Sequence, residues 1–309
     1  MLSVFVLGAG LSIGAAAADS ASLPPLPIAP VVVEAAPLQS AGHLVLAANG
    51  LSGLDSESFD HLLSLTGYQV DTARDGDAAV PRIYAASMPP DMAAIASSDD
   101  RKRIFIKLML PLVLDANERL LVDRARLLYL AAREDSGLTV SFTERRWRAA
   151  MYEAYGVEPG DRDELLARVD VIPPSMMLAQ AAQETGWGTS RFVHEGNALF
   201  GQRIWEAGAG MVPDARASGE NHEVRAFDGL RESVFAYMVN LNSHDAYASF
   251  RDLRAFYRDT DRALDGYLMA TGLDGYSEEG QAYVDKIRAI IRSNDLTDFD
   301  SARLADLAL

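Results

Sequence analysis

Pro-Pro-Ser-Met-Met-Leu-Ala-Gln-Ala-Ala-Gln-Glu-Thr-Gly-Trp-Gly-Thr-Ser-Arg-Phe-Val-His-Glu-Gly-Asn-Ala-Leu-Phe-Gly, residues 173–201, is the stretch that decides the fold. Pro173 and Pro174 open it, and proline is favoured at a helix start because its fixed φ suits the first turn. Small and apolar residues run on to Thr185, and Gly186 supplies the stop. The pattern predicts one buried helix over 174–185, with Glu184 in its last turn. Met177, Ala181 and Glu184 stand at i, i+4 and i+7 and share a face. A carboxylate on a buried face loses hydration. Near the negative end of the helix dipole its charge is disfavoured further. Both effects raise its pKa, as a general acid working near neutral pH requires. The same spacing also fits a solvated Glu at a frayed helix end.

The words around Glu184 separate these two readings. Ala-Gln-Glu-Thr-Gly-Trp-Gly-Thr-Ser-Arg-Phe, followed by Gly-Asn-Ala-Leu-Phe-Gly, resembles the glucosaminidase domain of glycoside hydrolase family 73. These are lysozyme-like enzymes that cut bacterial peptidoglycan. The family motif reads Glu-Ser/Thr-Gly-Trp-Gly, a short run, then Asn-Asn-Leu-Phe-Gly. Glu184 matches the catalytic acid. Gly186, Trp187 and Gly188 match the turn, and Asn197, Leu199, Phe200 and Gly201 match the second half. Ala198 departs from the pattern, standing where a second Asn is usual. The resemblance implies a mainly α fold with a small β-hairpin lobe, in a lysozyme-like α+β catalytic domain.

Length and charge bound the alternatives. The chain has 309 residues, 49% of them hydrophobic, enough for one large or two small domains with a sizeable core. A net charge of −16 argues against a nucleic-acid partner, which needs a basic surface. Cysteine is absent, so there is no disulfide framework and no thiolate metal site. The five His form no ligand-spaced pair on one helix, so neither a metal nor another cofactor is expected.

Outward from the motif, the N-terminal side reads as export and tether. Residues 2–18 are uncharged and mostly apolar, with an Ala-x-Ala site before Asp19. Residues 1–18 therefore read as a secretory signal peptide or, uncleaved, as a weak membrane anchor, which places the protein in the periplasm or cell envelope. Residues 19–48, rich in Pro, Ala, Ser and Val, read as a tether. A short helix is expected from Asp55 or Ser58 to Leu65, a turn at Asp75-Gly76-Asp77, and extended chain over Val80–Tyr84. Ser98 and Asp99 are candidate caps for a long helical pattern carried by Ile104, Leu108, Leu112, Ala116, Leu120 and Leu127. Pro111 should kink or break that run, giving two helices. Asn117, Glu118 and Asp123 are expected to make structural polar contacts. Val80–Tyr84, Met88-Pro89, Arg101–Lys107, Leu110–Leu114 and Asn117-Glu118 together resemble the bacterial Bax protein family. Its members carry such a region ahead of the glucosaminidase domain. The implied divisions are a helical pre-domain at 49–136, a glucosaminidase domain at 137–295 and a loosely ordered tail at 296–309.

Two further helices are expected at 141–155 and 161–169. After Gly201 the Gly-rich run 202–213 suggests a β-hairpin or extended flap, and 222–227 a strand. In lysozyme-like folds that lobe forms the second wall of the cleft, and the resemblance implies a second carboxylate there. Glu206, Glu220 and Glu223 are available, and Glu223 is preferred because Glu-Val-Arg-x-Phe-Asp resembles the family strand. Residues 229–256 return to helix, with Leu230, Val234, Tyr237 and Leu241 on one face. The last helix is expected from Glu278 to Arg292. Asn240-Leu241-Asn242 with Tyr247, and Gly275-Tyr276-Ser277 with Tyr283, resemble further family elements. Tyr247 would help shape the cleft, and one of Tyr276 and Tyr283 would face the substrate.

The chemistry implied is hydrolysis of a β-1,4 glycosidic bond in peptidoglycan glycan strands. Glu184 would protonate the leaving oxygen. A flap carboxylate or the substrate's own N-acetyl group would stabilise the oxocarbenium-like centre. Trp187 and Phe200 are candidate sugar platforms and Asn197 a candidate polar contact. A lytic transglycosylase, or a binding scaffold that kept the fold, are the rivals.

Overall fold

The computed structural model describes residues 51, 53–206, 208–213 and 221–306. The signal or anchor segment 1–18 and the tether 19–48 lie outside the described residues. Two helices form the centre, one buried along most of its length and the other through its first half. One is α5, Pro174–Thr185, with the bounds expected. The other is α2, Ser98–Asp135. Every residue of α2 from Ile104 to Asn117 is buried, a helix apolar nearly all round. α5 packs against α2.

α2 corrects the expectation of a break at Pro111. The helix runs unbroken through that residue, capped at its start by Ser97, whose side chain accepts from the Asp100 N–H. An interior proline costs about 3 kcal/mol through a lost hydrogen bond and a ring clash. Here packing on all sides of Leu108–Leu114 outweighs it. The buried Lys107 ammonium is satisfied by Asp60 Oδ1 at 2.8 Å and Ser64 Oγ at 3.0 Å, on helix α1, Ser56–Leu65. Asn117 clamps the chain entering α5, exchanging bonds of 2.8 and 2.9 Å with the carbonyl and N–H of Ile172. Glu118 pairs through both oxygens with Arg82.

Helices α3, Phe142–Ala154, and α4, Arg162–Arg168, follow α2. Ser141 and Glu144 form a reciprocal capping box at the start of α3. α6, Arg191–Gly196, leads into strands β1, Arg203–Ile204, β2, Gly210–Met211, and β3, Glu223–Arg225. The sheet is antiparallel with order β1-β3-β2. Of the two readings of 202–213, hairpin or extended flap, the hairpin does not form: β1 and β2 do not pair with each other but flank β3. Gly210 explains part of this, since a Cβ there would lie 2.4 Å from the Val224 carbonyl oxygen. The architecture is mainly α with a small antiparallel sheet, the lysozyme-like α+β class the motif implied.

The helix expected over 229–256 divides at His244 into α7, Leu230–Ser243, and α8, Ala248–Asp259. α9, Gly266–Met269, and α10, Gln281–Ser293, complete the body. The tail expected to be loose is packed: Leu296, Phe299 and Leu304 are buried, and Leu304 bridges to Val80. Its anchor is Asp300. The carboxylate accepts from the Ser175 N–H at 2.8 Å and hydroxyl at 2.9 Å, and from the Gly266 N–H at 2.8 Å. A tail residue therefore caps the first turn of α5, where the N–H groups lack helical partners.

Burial pushes the Asp300 pKa up to about 6, against the pull of those three donors. A raised folded-state pKa means that the stabilising contribution is full below the ordinary carboxylate range. It is lost as pH rises through 6. Asp300→Asn should lose part of the cap at every pH and also flatten this slope. The difference in unfolding free energy between wild type and variant should narrow from pH 4 to pH 7, by about 3 kcal/mol at most. Urea titrations across that range check it. A parallel pair of stability curves would show that Asp300 does not titrate there.

Candidate active site

α5 ends where its sequence says it should. Gly186, Trp187 and Gly188 take left-handed backbone in succession, at φ 58°, 61° and 84°. The Trp187 N–H closes on Ala182 O, and the Gly188 N–H on Thr185 Oγ1. Gly188 is required twice. Its φ favours glycine, and a Cβ would lie 2.9 Å from Met88 Sδ and 3.2 Å from Phe105 Cδ2. The turn is thus pressed onto the residues just before α2 and onto α2 itself. Trp187 meets Phe105 edge-on at 5.6 Å, with Lys102 Nζ 5.5 Å from its ring centre.

The second half of the motif brings the chain back to the carboxylate. Asn197 ends α6 in left-handed backbone and donates through Nδ2 to Phe227 O at 3.0 Å. The Leu199 N–H reaches Ser233 Oγ on α7. At Gly201 a Cβ would stand 3.9 Å from Glu184 Oε2. The two halves of the motif are therefore the two sides of one turn around Glu184.

Glu184 is half-buried. Tyr283, on α10, donates to its Oε1 at 3.0 Å. Burial raises the carboxyl pKa above its ordinary value. The hydroxyls of Tyr283 and Tyr276 oppose the shift, and the negative charge of Glu279 adds to it. The rings form a continuous cluster. Phe200 stacks on Tyr237 at 4.0 Å, Tyr237 meets Tyr276 edge-on, and Tyr276 stacks on Tyr283 at 4.6 Å. Tyr247 leans on Tyr276 at 6.3 Å. Tyr276 donates to Phe200 O at 2.9 Å. Burial and the Glu184 carboxylate both raise the pKa of Tyr276 and Tyr283, so these hydroxyls stay protonated donors.

Of the residues singled out from sequence, Glu184, Tyr247, Tyr276 and Tyr283 come together. Phe200 belongs to the same cluster but is only 2% exposed, with its ring on Tyr237, so it supports the site from within rather than offering a sugar a face. Trp187 and Asn197 hold the turns. Glu223 is buried on β3, and its oxygens accept from the N–H groups of Gly208, at 2.9 and 3.1 Å, and Gly210, at 2.9 Å. It ties down the loop between β1 and β2. Sequence reasoning missed Gln180, Glu279 and the role of Tyr237. Gln180 carried a signal: an amide on the buried face among Met, Leu and Ala, one turn before Glu184, whereas Gln183 falls on the exposed side. Among the described residues no cluster of His, Asp or Glu could hold a metal ion.

A protein-family model described as mannosyl-glycoprotein endo-β-N-acetylglucosaminidase matches residues 162–296, from α4 to the tail. The chain is also 32% identical over 215 residues to Protein bax of Escherichia coli (strain K12), covering 68% of this chain and 75% of that protein. The chain belongs to the Bax family. No solved structure matches it. This Bax-family chain carries a glucosaminidase domain, which indicates a glycosidase acting on a glycan such as peptidoglycan and located at the cell envelope. Among the described residues no helix is long and apolar enough to cross a membrane.

Proposed function

We propose that this Bax-family protein is an exported peptidoglycan hydrolase, an endo-β-N-acetylglucosaminidase that cuts β-1,4 bonds with Glu184 as general acid. The observation that carries the reading is the Glu184 carboxyl. It is half-buried at the C-terminal end of α5, raised in pKa, and held by the Tyr283 hydroxyl beside Gly201. A carboxyl so placed keeps its proton closer to neutrality and can deliver it to the departing sugar oxygen. Glu223 has both oxygens engaged by backbone N–H groups of the flap. That arrangement favours the N-acetyl group as the internal nucleophile. Its carbonyl oxygen bonds to C1 as the C1–O bond breaks and Glu184 gives its proton to the leaving oxygen. Water then adds at C1 as the bond between C1 and the N-acetyl oxygen breaks and the N-acetyl carbonyl re-forms, and the water gives up a proton to Glu184. Glu223 in this scheme shapes the second wall of the cleft, and the protein acts in the periplasm or cell envelope.

The test is digestion of purified peptidoglycan by the full chain, with the new sugar ends identified by mass spectrometry. Reducing N-acetylglucosamine ends are expected. Anhydro ends would move the protein to the lytic transglycosylases. No cleavage with binding retained would make it a scaffold.

A further inference from the structure

The hydroxyls around Glu184 lead inward to Gln180. It lies one helical turn earlier on α5, on the same face, and is fully buried. Its Nε2 donates to Tyr237 Oη at 2.6 Å and to Tyr283 Oη at 3.4 Å. Its Oε1 has no partner among the described residues. A buried polar side chain with an unmatched carbonyl is a liability in a core of Met, Leu and Ala, where an apolar residue would pack without that loss.

The use of the amide is directional. A tyrosine hydroxyl has one proton, and its oxygen accepts as well as donates. Gln180 offers Tyr283 an N–H, so the oxygen of Tyr283 is taken as acceptor from the buried side. Its proton then goes to Glu184 Oε1. Without the amide, Tyr283 could turn and accept the proton of a neutral Glu184. The acid's proton would then point into the tyrosine cluster rather than toward a substrate.

We propose that Gln180 is a positioning residue, whose buried amide holds the Tyr283 hydroxyl as a donor to Glu184 and so fixes which way the Glu184 carboxyl presents its proton. The inference rests on the reading of Glu184 as the acid. The groups facing Glu184 are Tyr283 on α10, Tyr276 before it, Tyr237 on α7, Tyr247 before α8, and Glu279, whose carboxylate is paired with Lys286 at 2.7 and 2.8 Å. Gln180 reaches the carboxyl through Tyr283.

The experiment is a carbon-13 NMR titration of the Glu184 carboxyl in the full chain, which needs no glycan and so stands apart from the test of activity. Wild type is compared with Gln180→Met, Tyr283→Phe and the double variant. Gln180→Met should raise the Glu184 pKa by about half a unit or more, because a donor to the carboxylate is no longer held in place. Tyr283→Phe should raise it at least as much. The double variant should equal Tyr283→Phe alone, the signature of one residue acting through the other. In peptidoglycan cleavage Gln180→Met should lower kcat with KM little changed. An unshifted Glu184 in Gln180→Met, or two shifts that simply add, would overturn the proposal. Gln180→Asn keeps the amide but withdraws it by one methylene. It should give the same shift, and serves if the Met variant does not fold.

Discussion

Glu184→Gln is expected to cut peptidoglycan cleavage by about a hundredfold to ten-thousandfold while glycan binding persists, because it removes a proton donor and little else. Gln has the shape of Glu and can still accept from the Tyr283 hydroxyl, so the turn at Gly186–Gly188 and the tyrosine cluster need not move. The loss should fall on kcat, since the proton is transferred only as the bond breaks. Stability should change the other way. Burial, with the charge of Glu279, raises the Glu184 pKa in the folded chain, so the ionised form is less favourable there than in the unfolded chain. Its contribution is full at low pH and falls as pH rises through the folded-state pKa. The neutral Gln avoids that loss, so the variant should melt higher than wild type at neutral pH and approach it in acid. This exchange of activity for stability marks a strained functional group. Steady-state cleavage and thermal melts at two pH values check both halves. A variant that keeps wild-type kcat removes Glu184 from the mechanism. One that melts lower at neutral pH would show that the carboxylate is not a burden on the fold.

What could be read in the sequence was what depends on near neighbours. Pro173-Pro174, a run of small residues and Gly186 set both ends of α5 through φ preferences alone. The raised Glu184 pKa followed from its place on a buried face of that helix. Pro111 misled because a local cost was weighed without the packing around α2, which surrounds it on every side. The order β1-β3-β2 was hidden for a related reason. Gly-rich residues 202–213 read as a hairpin or an extended flap, but the strand that pairs with both halves arrives from 223–225. Asp300 and Leu304 looked like tail residues because their partners, Ser175 and Val80, lie more than a hundred positions away. The tyrosines could be picked out from the family elements, but their mutual stacking and the amide behind them could not.

Arg254→Met should be the most destabilising single change away from the site, at about 3–5 kcal/mol. Arg254 on α8 is 1% exposed and sits under the chain that delivers α5. Its two terminal nitrogens donate to the carbonyls of Ala167 at 2.8 Å, Val171 at 3.0 Å and Asp170 at 3.1 Å, and to Asn242 Oδ1 at 2.6 Å. Asn242 returns a bond to Asp170 O, and the buried Asp170 carboxylate is forked by Arg258 at 2.7 and 3.0 Å. Burial pulls the Arg254 pKa down to about 10, which still leaves it charged at neutral pH. Met would fill much of the volume but leave several buried acceptors unpaired and Asp170 short of a nearby positive charge. Arg254→Lys should recover only part of the loss, because one ammonium cannot reproduce the planar fork that spans residues 167–171 and Asn242. Arg258→Met should cost less than Arg254→Met, since its side chain is 42% exposed and water replaces part of what it gives Asp170. Urea midpoints at constant m should place Arg254→Met lowest, Arg254→Lys between, and Arg258→Met nearest to wild type. Equal midpoints for Arg254→Met and Arg258→Met would mean that the Asp170 ion pair, rather than the buried carbonyls, holds the entry to α5.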